Sequence, residues 1–215
     1  MENTATTPNI NASNLWKNIL FHPTATFKYI FENQPKKSVF IFFVFGGMAS
    51  GVGRLLDRNS LDGSDDLPQL LIVLLISGAL GWISYYLVAY FLSIAGDILK
   101  GKASVEDFRT VIAWALVPTI FSLAVVIPQY LIYGGGSNNS VWENGFSIDN
   151  TGLILLFLIA AILKIWMVFI LVKGVVFIQK FSIGKALMNV VLPFVIVALF
   201  IFGLLAIIGA LGGFN

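Results

Sequence analysis

The sequence predicts an all-α integral membrane protein with five transmembrane helices preceded by a short amphipathic helical segment. Hydrophobic residues make up 58% of the 215 residues and charged residues 11%, against about 25% charged in soluble domains, and the mean hydropathy is +0.89. Five long apolar runs share the chain, and about 20 apolar residues at about 1.5 Å rise each cross a hydrocarbon core of about 30 Å. The basic residues between the runs are segregated to one side of the expected membrane. No stretch is left that could build a separate soluble domain. The expected organisation is a disordered tail over 1–13, amphipathic helices lying at the interface over 14–34, and a membrane domain over 35–215.

The tail is polar and has almost nothing to bury. From Asn14, Leu15, Trp16, Ile19 and Leu20, then Phe27, Ile30 and Phe31, recur at helical spacing around Pro23. Two short helices result. They either lie in the headgroup plane with Lys17 and Lys28 on the wet side, or pack under the bundle, and the pattern suits both equally. No removable leader precedes them, so the first span is expected to act as a signal-anchor.

The spans are expected at about 38–55, 67–99, 110–133, 152–178 and 187–211. The first carries Gly47 and Gly51, a small-xxx-small pair that admits a close neighbour. The loop after it concentrates Asp57, Asp62, Asp65 and Asp66. It does not read as a calcium loop, because Leu61 takes the fifth position and Pro68 stands where a bidentate Glu is needed. The second span exceeds one straight crossing and must tilt, kink near Gly78 and Gly81, or extend into water. Ser104 and Asp107 spell a capping box before the third span, which Pro118 and Pro128 interrupt. In the next connection Trp142 and Phe146 suit an interfacial position, and Asn138-Asn139-Ser140 is a glycosylation sequon.

The fourth span, Gly152 to Ile178, is the longest apolar run and reads as the element around which the others arrange. Lys164 and Lys173 alone interrupt it. Lys173 is near the end and can snorkel its ammonium to the headgroups. Lys164 falls near mid-membrane, where a lysine costs about 2.5–3.5 kcal/mol. The two are nine residues apart and point to opposite faces. By depth, the candidate partners of Lys164 in an intramembrane polar site are Tyr85, Tyr86 and Ser84, and those of Lys173 reduce to Asp97 as an ion pair. Lys164 is either a substrate or proton-coupled site in a transporter, or an interhelical hydrogen bond that sets register.

With the N-terminus inside, Lys17, Lys28, Lys36, Lys37, Lys100, Lys102, Arg109, Lys180 and Lys185 are all internal, while only Arg54 and Arg58 lie outside. The positive-inside bias places the N-terminus in the cytoplasm and the C-terminus outside, as in a bacterial inner membrane protein. An ungapped offset of 78 sets Gly96, Lys102 and Ser104 on Gly174, Lys180 and Ser182, the pattern of a parallel repeat about the membrane normal. Cysteine is absent and His22 is the single histidine, which excludes disulfides, thiol catalysis and thiolate metal sites. No catalytic constellation, phosphate loop or cofactor site is present, and no basic patch with interleaved aromatics suggests nucleic acid. The expected partners are the lipid bilayer and membrane or cytoplasmic proteins.

The segments ILFHPTATFKYI, GKASVEDFRTVIAWALVP, Trp166 to Gly174 and Phe181-Ser182-Ile183 resemble the YIP family, the Ypt/Rab-interacting membrane proteins, in its diverged bacterial and archaeal form. The resemblance runs from about Leu15 to Leu211. It implies a cytoplasmic N-terminus, five spans and, in eukaryotic members, work in vesicle traffic with small GTPases. The Asp-Leu-Tyr-Gly-Pro signature of those members is missing, with Asp97-Ile98-Leu99-Lys100-Gly101 only a remnant, so GTPase binding is not carried over. The resemblance thus favours a non-enzymatic membrane organiser or adaptor, with a small-solute or ion transporter using Lys164 as the alternative.

Overall fold

The computed structural model describes residues 10–33, 39–57, 67–144 and 150–212. The expectations for residues 1–9, Lys36, Lys37, Arg58, Leu61, Asp62, Asp65, Asp66, Phe146 and Asn215 lie outside these. All regular structure among the described residues is helical: α1 (Leu15–Phe21), α2 (Pro23–Asn33), α3 (Val39–Asp57), α4 (Leu67–Ile98), α5 (Val105–Ala115), α6 (Val117–Phe121), α7 (Leu123–Tyr133), α8 (Ser137–Asn144), α9 (Thr151–Gln179) and α10 (Ile183–Gly212). Four helices, α3, α4, α9 and α10, are long and apolar enough to cross a membrane. The segment α5–α7, bent by 41° before α7, supplies a fifth crossing when counted as one.

The most extensive helix pairing is between α3 and α4, and glycines make it. A Cβ on Gly47 would strike the Ser77 carbonyl, one on Gly51 the Ser77 side chain, and one on Gly81 the Gly47 backbone. Small residues let two backbones approach where lipid offers no hydrophobic drive to hold them together. The length of α4 is therefore not absorbed by a break near Gly78 and Gly81: α4 runs unbroken, and both glycines serve packing against α3.

The breaks fall instead in the third span. Pro118 has no N–H to give to the Trp114 carbonyl, and its ring crowds that turn, so the chain steps at Leu116 into α6. The second step is at Ser122, whose hydroxyl donates to the Thr119 carbonyl at 2.6 Å and competes with the backbone ladder. Pro128 lies inside α7 without interrupting it.

The centre of the molecule is α5–α6, not the long apolar α9. From Thr110 to Thr119 every side chain is buried, and Phe108, Val111, Leu116 and Val117 anchor a core shared with α1, α2, α3, α4 and α9. α9 leaves Leu155, Ile162, Ile165 and Val168 exposed on the bundle surface. Its burial is concentrated near its C-terminal end, where Gly174 admits Val111 and Phe27.

The two N-terminal helices pack on the bundle. Leu15, Ile19, Phe27 and Ile30 are buried, the Trp166 indole donates to the Leu20 carbonyl at 3.0 Å, and Phe31 meets Phe177. Lys17 and Lys28 stay exposed. Order also begins before residue 14: Ala12–Asn14 form a 3-10 turn and Ile10 packs against the core, so Ile10–Ser13 are not part of a disordered tail.

The two turns at the Asp97 end are built alike. Lys100 and Lys180 both take left-handed backbone (φ 59° and 56°) to close α4 and α9, the usual way a helix is stopped. Ser104 and Ser182 then open the next helices, their hydroxyls accepting from the amides of Asp107 and Lys185 at 3.2 and 3.4 Å. Lys100, rather than Lys102, is thus the counterpart of Lys180, and the second turn is two residues shorter. Gln179 ties the turns together. Its side-chain oxygen accepts from the amides of Lys102 (2.6 Å) and Ala103 (3.0 Å), and its amide group lies where Cβ atoms on Gly96 and Gly101 would otherwise be. Beside it, buried Asn189 of α10 donates to the Leu92 carbonyl at 2.8 Å.

Candidate functional site

A cavity of about 700 Å³ runs along one side of the α3–α4 crossing. Its walls are mainly apolar, with Val73, Ile76 and Leu80 from α4 and Leu55 from α3. Polar groups converge on it from Ser50, Arg54 and Asp57 of α3 and from Ser84 and Tyr85 of α4. The Tyr85 ring stacks on Phe43 (centroids 5.2 Å apart) and its hydroxyl lies 3.1 Å from Ser50 Oγ. Arg54 occupies the last turn of α3, because the helix continues to Asp57 rather than ending near residue 55. The apolar flanks Val52, Leu55 and Leu56 are the signal in the sequence that the helix continues past Arg54.

The residues grouped by depth do not form one site. Lys164 carries its ammonium to the α9-facing side of α3, about 3.9 Å from where a Cβ on Gly53 would be. Among the described residues it makes no hydrogen bond to Tyr85, Tyr86 or Ser84, and it does not line the cavity. Tyr86 packs on another side of Phe43 (centroids 5.6 Å apart), and the Arg109 guanidinium lies over its ring at 4.1 Å. Asp97 and Lys173 are likewise not joined by an ion pair: Asp97 is exposed, and the Lys173 ammonium sits 5.6 Å from the Phe169 ring centre. The physical reason is common to all of them. Counting residues from a span's end gives depth but not azimuth, and α9 packs on α5, α6, α7 and α10 whereas α4 packs on α3, α5 and α10.

At the Asp57 end of the bundle a polar network joins α3, α7 and α8. Buried Gln129 donates to Asn138 Oδ1 at 2.8 Å, and Asn138 Nδ2 donates to Asp57 at 2.6 Å. Asn139 bonds the Asp57 carbonyl, and the Gly136 amide reaches the Leu55 carbonyl. Asn138 is therefore a buried structural amide with both ends engaged, not an accessible glycosylation acceptor. Among the described residues no cluster of His, Asp or Glu could hold a metal ion.

The buried amides Gln129, Gln179 and Asn189 are what sequence reading missed. Each is a lone amide within or beside an apolar run, and an amide in hydrocarbon must find a partner. That isolation was the available signal.

These features define an all-helical multi-pass membrane protein whose polar groups join helices at the two ends of the bundle. A profile of the Yip1 domain matches residues 17–205. The chain belongs to the Yip1-domain family, in agreement with the resemblance read from its motifs. No curated protein and no solved structure matches it.

Proposed function

We propose that this Yip1-domain protein is a non-enzymatic organiser of the membrane, an adaptor that offers a rigid surface to protein partners. The observation that carries the reading is the docking of α1–α2 on the bundle. It sets Lys28 and Glu32 beside the end formed by the two turns, where Lys100, Lys102, Lys180 and Lys185 are also exposed or half-buried. Two of these cations rest on aromatic rings, Lys180 over Phe177 at 4.4 Å and Lys185 over Phe181 at 4.2 Å, which fixes their positions as well as their charge. By the positive-inside rule this face is cytoplasmic and the C-terminus lies outside; the diverged bacterial form that the motifs resemble suits the inner membrane of a bacterium.

A photocrosslinking residue at Lys28 or Lys102 in intact cells is expected to give the same protein adduct, lost in the double variant K180E/K185E. Adducts that differ, or that survive the charge reversals, overturn the adaptor reading. Because the chain has no cysteine, labelling of K102C and E143C from opposite sides of the membrane checks the orientation. Solute flux through reconstituted vesicles that disappears in K164M would support the transport alternative instead.

A further inference from the structure

The cavity between α3 and α4 is open on one side. Ile76 and Leu80, each more than half exposed, border the opening. Both belong to a helix long and apolar enough to span the membrane, so the opening faces lipid. Arg54 is at the mouth, one turn from the end of α3. This is the depth at which a span meets the headgroups.

Among the described residues Arg54 has no ion pair or hydrogen bond. The nearest acid on its helix, Asp57, accepts from the Asn138 amide and also lines the cavity, with no ion pair to Arg54 among the described residues. Deeper in, the Ser50–Tyr85 hydroxyl pair adds donors and acceptors. Below the mouth the walls are apolar, and Gly47, Gly51 and Gly81 line the groove where α3 and α4 come closest. The volume is in the range of small-ligand sites, about 300–1,000 Å³.

We propose that this groove holds an anionic phospholipid of the leaflet at the Asp57 end. The phosphate pairs with Arg54, whose planar fork suits two phosphate oxygens. The ester region meets the Ser50–Tyr85 hydroxyls, and an acyl chain lies against Val73, Ile76 and Leu80. The apolar walls select a lipid over a soluble anion, and the cation selects phosphatidylglycerol over phosphatidylcholine. The assignment does not depend on the adaptor reading.

The full-length protein in nanodiscs of phosphatidylcholine, titrated with phosphatidylglycerol bearing a photoreactive chain, tests this. Wild type is expected to be labelled on α3 and α4, with phosphatidylglycerol preferred. Losing a hydrogen bond to a charged group should weaken phosphatidylglycerol capture by R54Q about tenfold and erase the preference. L80W, which fills the groove from its exposed rim, should lose labelling by both lipids. K164Q, on the other side of α3, should match wild type, and inorganic phosphate should not compete. Thermal unfolding of each variant confirms that it is folded. Equal capture by R54Q and wild type, equal loss in K164Q, unchanged labelling of L80W, or competition by inorganic phosphate would each overturn the proposal.

Discussion

α5 and α10 lie next to each other only in their roles, and their contrast explains the molecule. α5 carries Glu106, Asp107, Arg109 and Thr110, yet its residues from Thr110 onward are entirely buried. α10 is the most apolar candidate span, and none of its most apolar window is buried, whereas 61% of the α3 window is. In water this would be inverted. In lipid an apolar side chain gains nothing by leaving the surface, so burial follows shape and small residues, not apolarity. α10 joins the bundle through Ala186, Asn189 and Val190 near its start and leaves Phe194, Phe200 and Phe202 to the bilayer.

The contrast can be broken first at its extremes. Phe108→Ala removes a fully buried ring and should destabilise the protein by about 3 kcal/mol, the lower end for Phe→Ala because lipid rather than water is the competing solvent. Phe200→Ala, 72% exposed on α10, should stay within about 0.5 kcal/mol. Unfolding in mixed micelles measures both, and equal losses would end the distinction between packed and lipid-facing spans.

A smaller effect sharpens how α10 is attached. Gln179→Leu strands the amides of Lys102 and Ala103 and should cost about 1–3 kcal/mol. Hydrogen exchange should then rise in residues 100–104 while the α3–α4 pair is unchanged. If exchange rises evenly over the protein, Gln179 is not a local tie between the two turns.

The smallest effect compares the turns themselves. Ser104→Ala removes a reciprocal capping box, in which Asp107 also accepts from the Ser104 amide at 2.9 Å, and should cost about 1 kcal/mol. Ser182→Ala removes a single 3.4 Å contact and should cost less. The same unfolding assay ranks them, and the reverse order would remove the capping box as the stronger start.

Much of this was legible in the residues. The capping box at Ser104, the small pair at Gly47 and Gly51, and the step caused by Pro118 each follow from local chemistry. Gln179 was not legible as a tie, because its partners are the amides of Lys102 and Ala103, far away in sequence. Nor was the seat of α1–α2: their apolar stripe serves a headgroup layer as well as a helix bundle.

Sequence alone determined that the chain is helical and crosses a membrane repeatedly, since the transfer of each segment into hydrocarbon is a property of that segment. Only the tertiary structure decided which faces meet. It set Lys164 against Gly53, turned Tyr85 to Ser50 and Tyr86 to Arg109, and buried α5 in place of α9. The reason is that in lipid the pattern of apolar and polar residues no longer distinguishes inside from outside, so rotation about each helix axis is settled by packing.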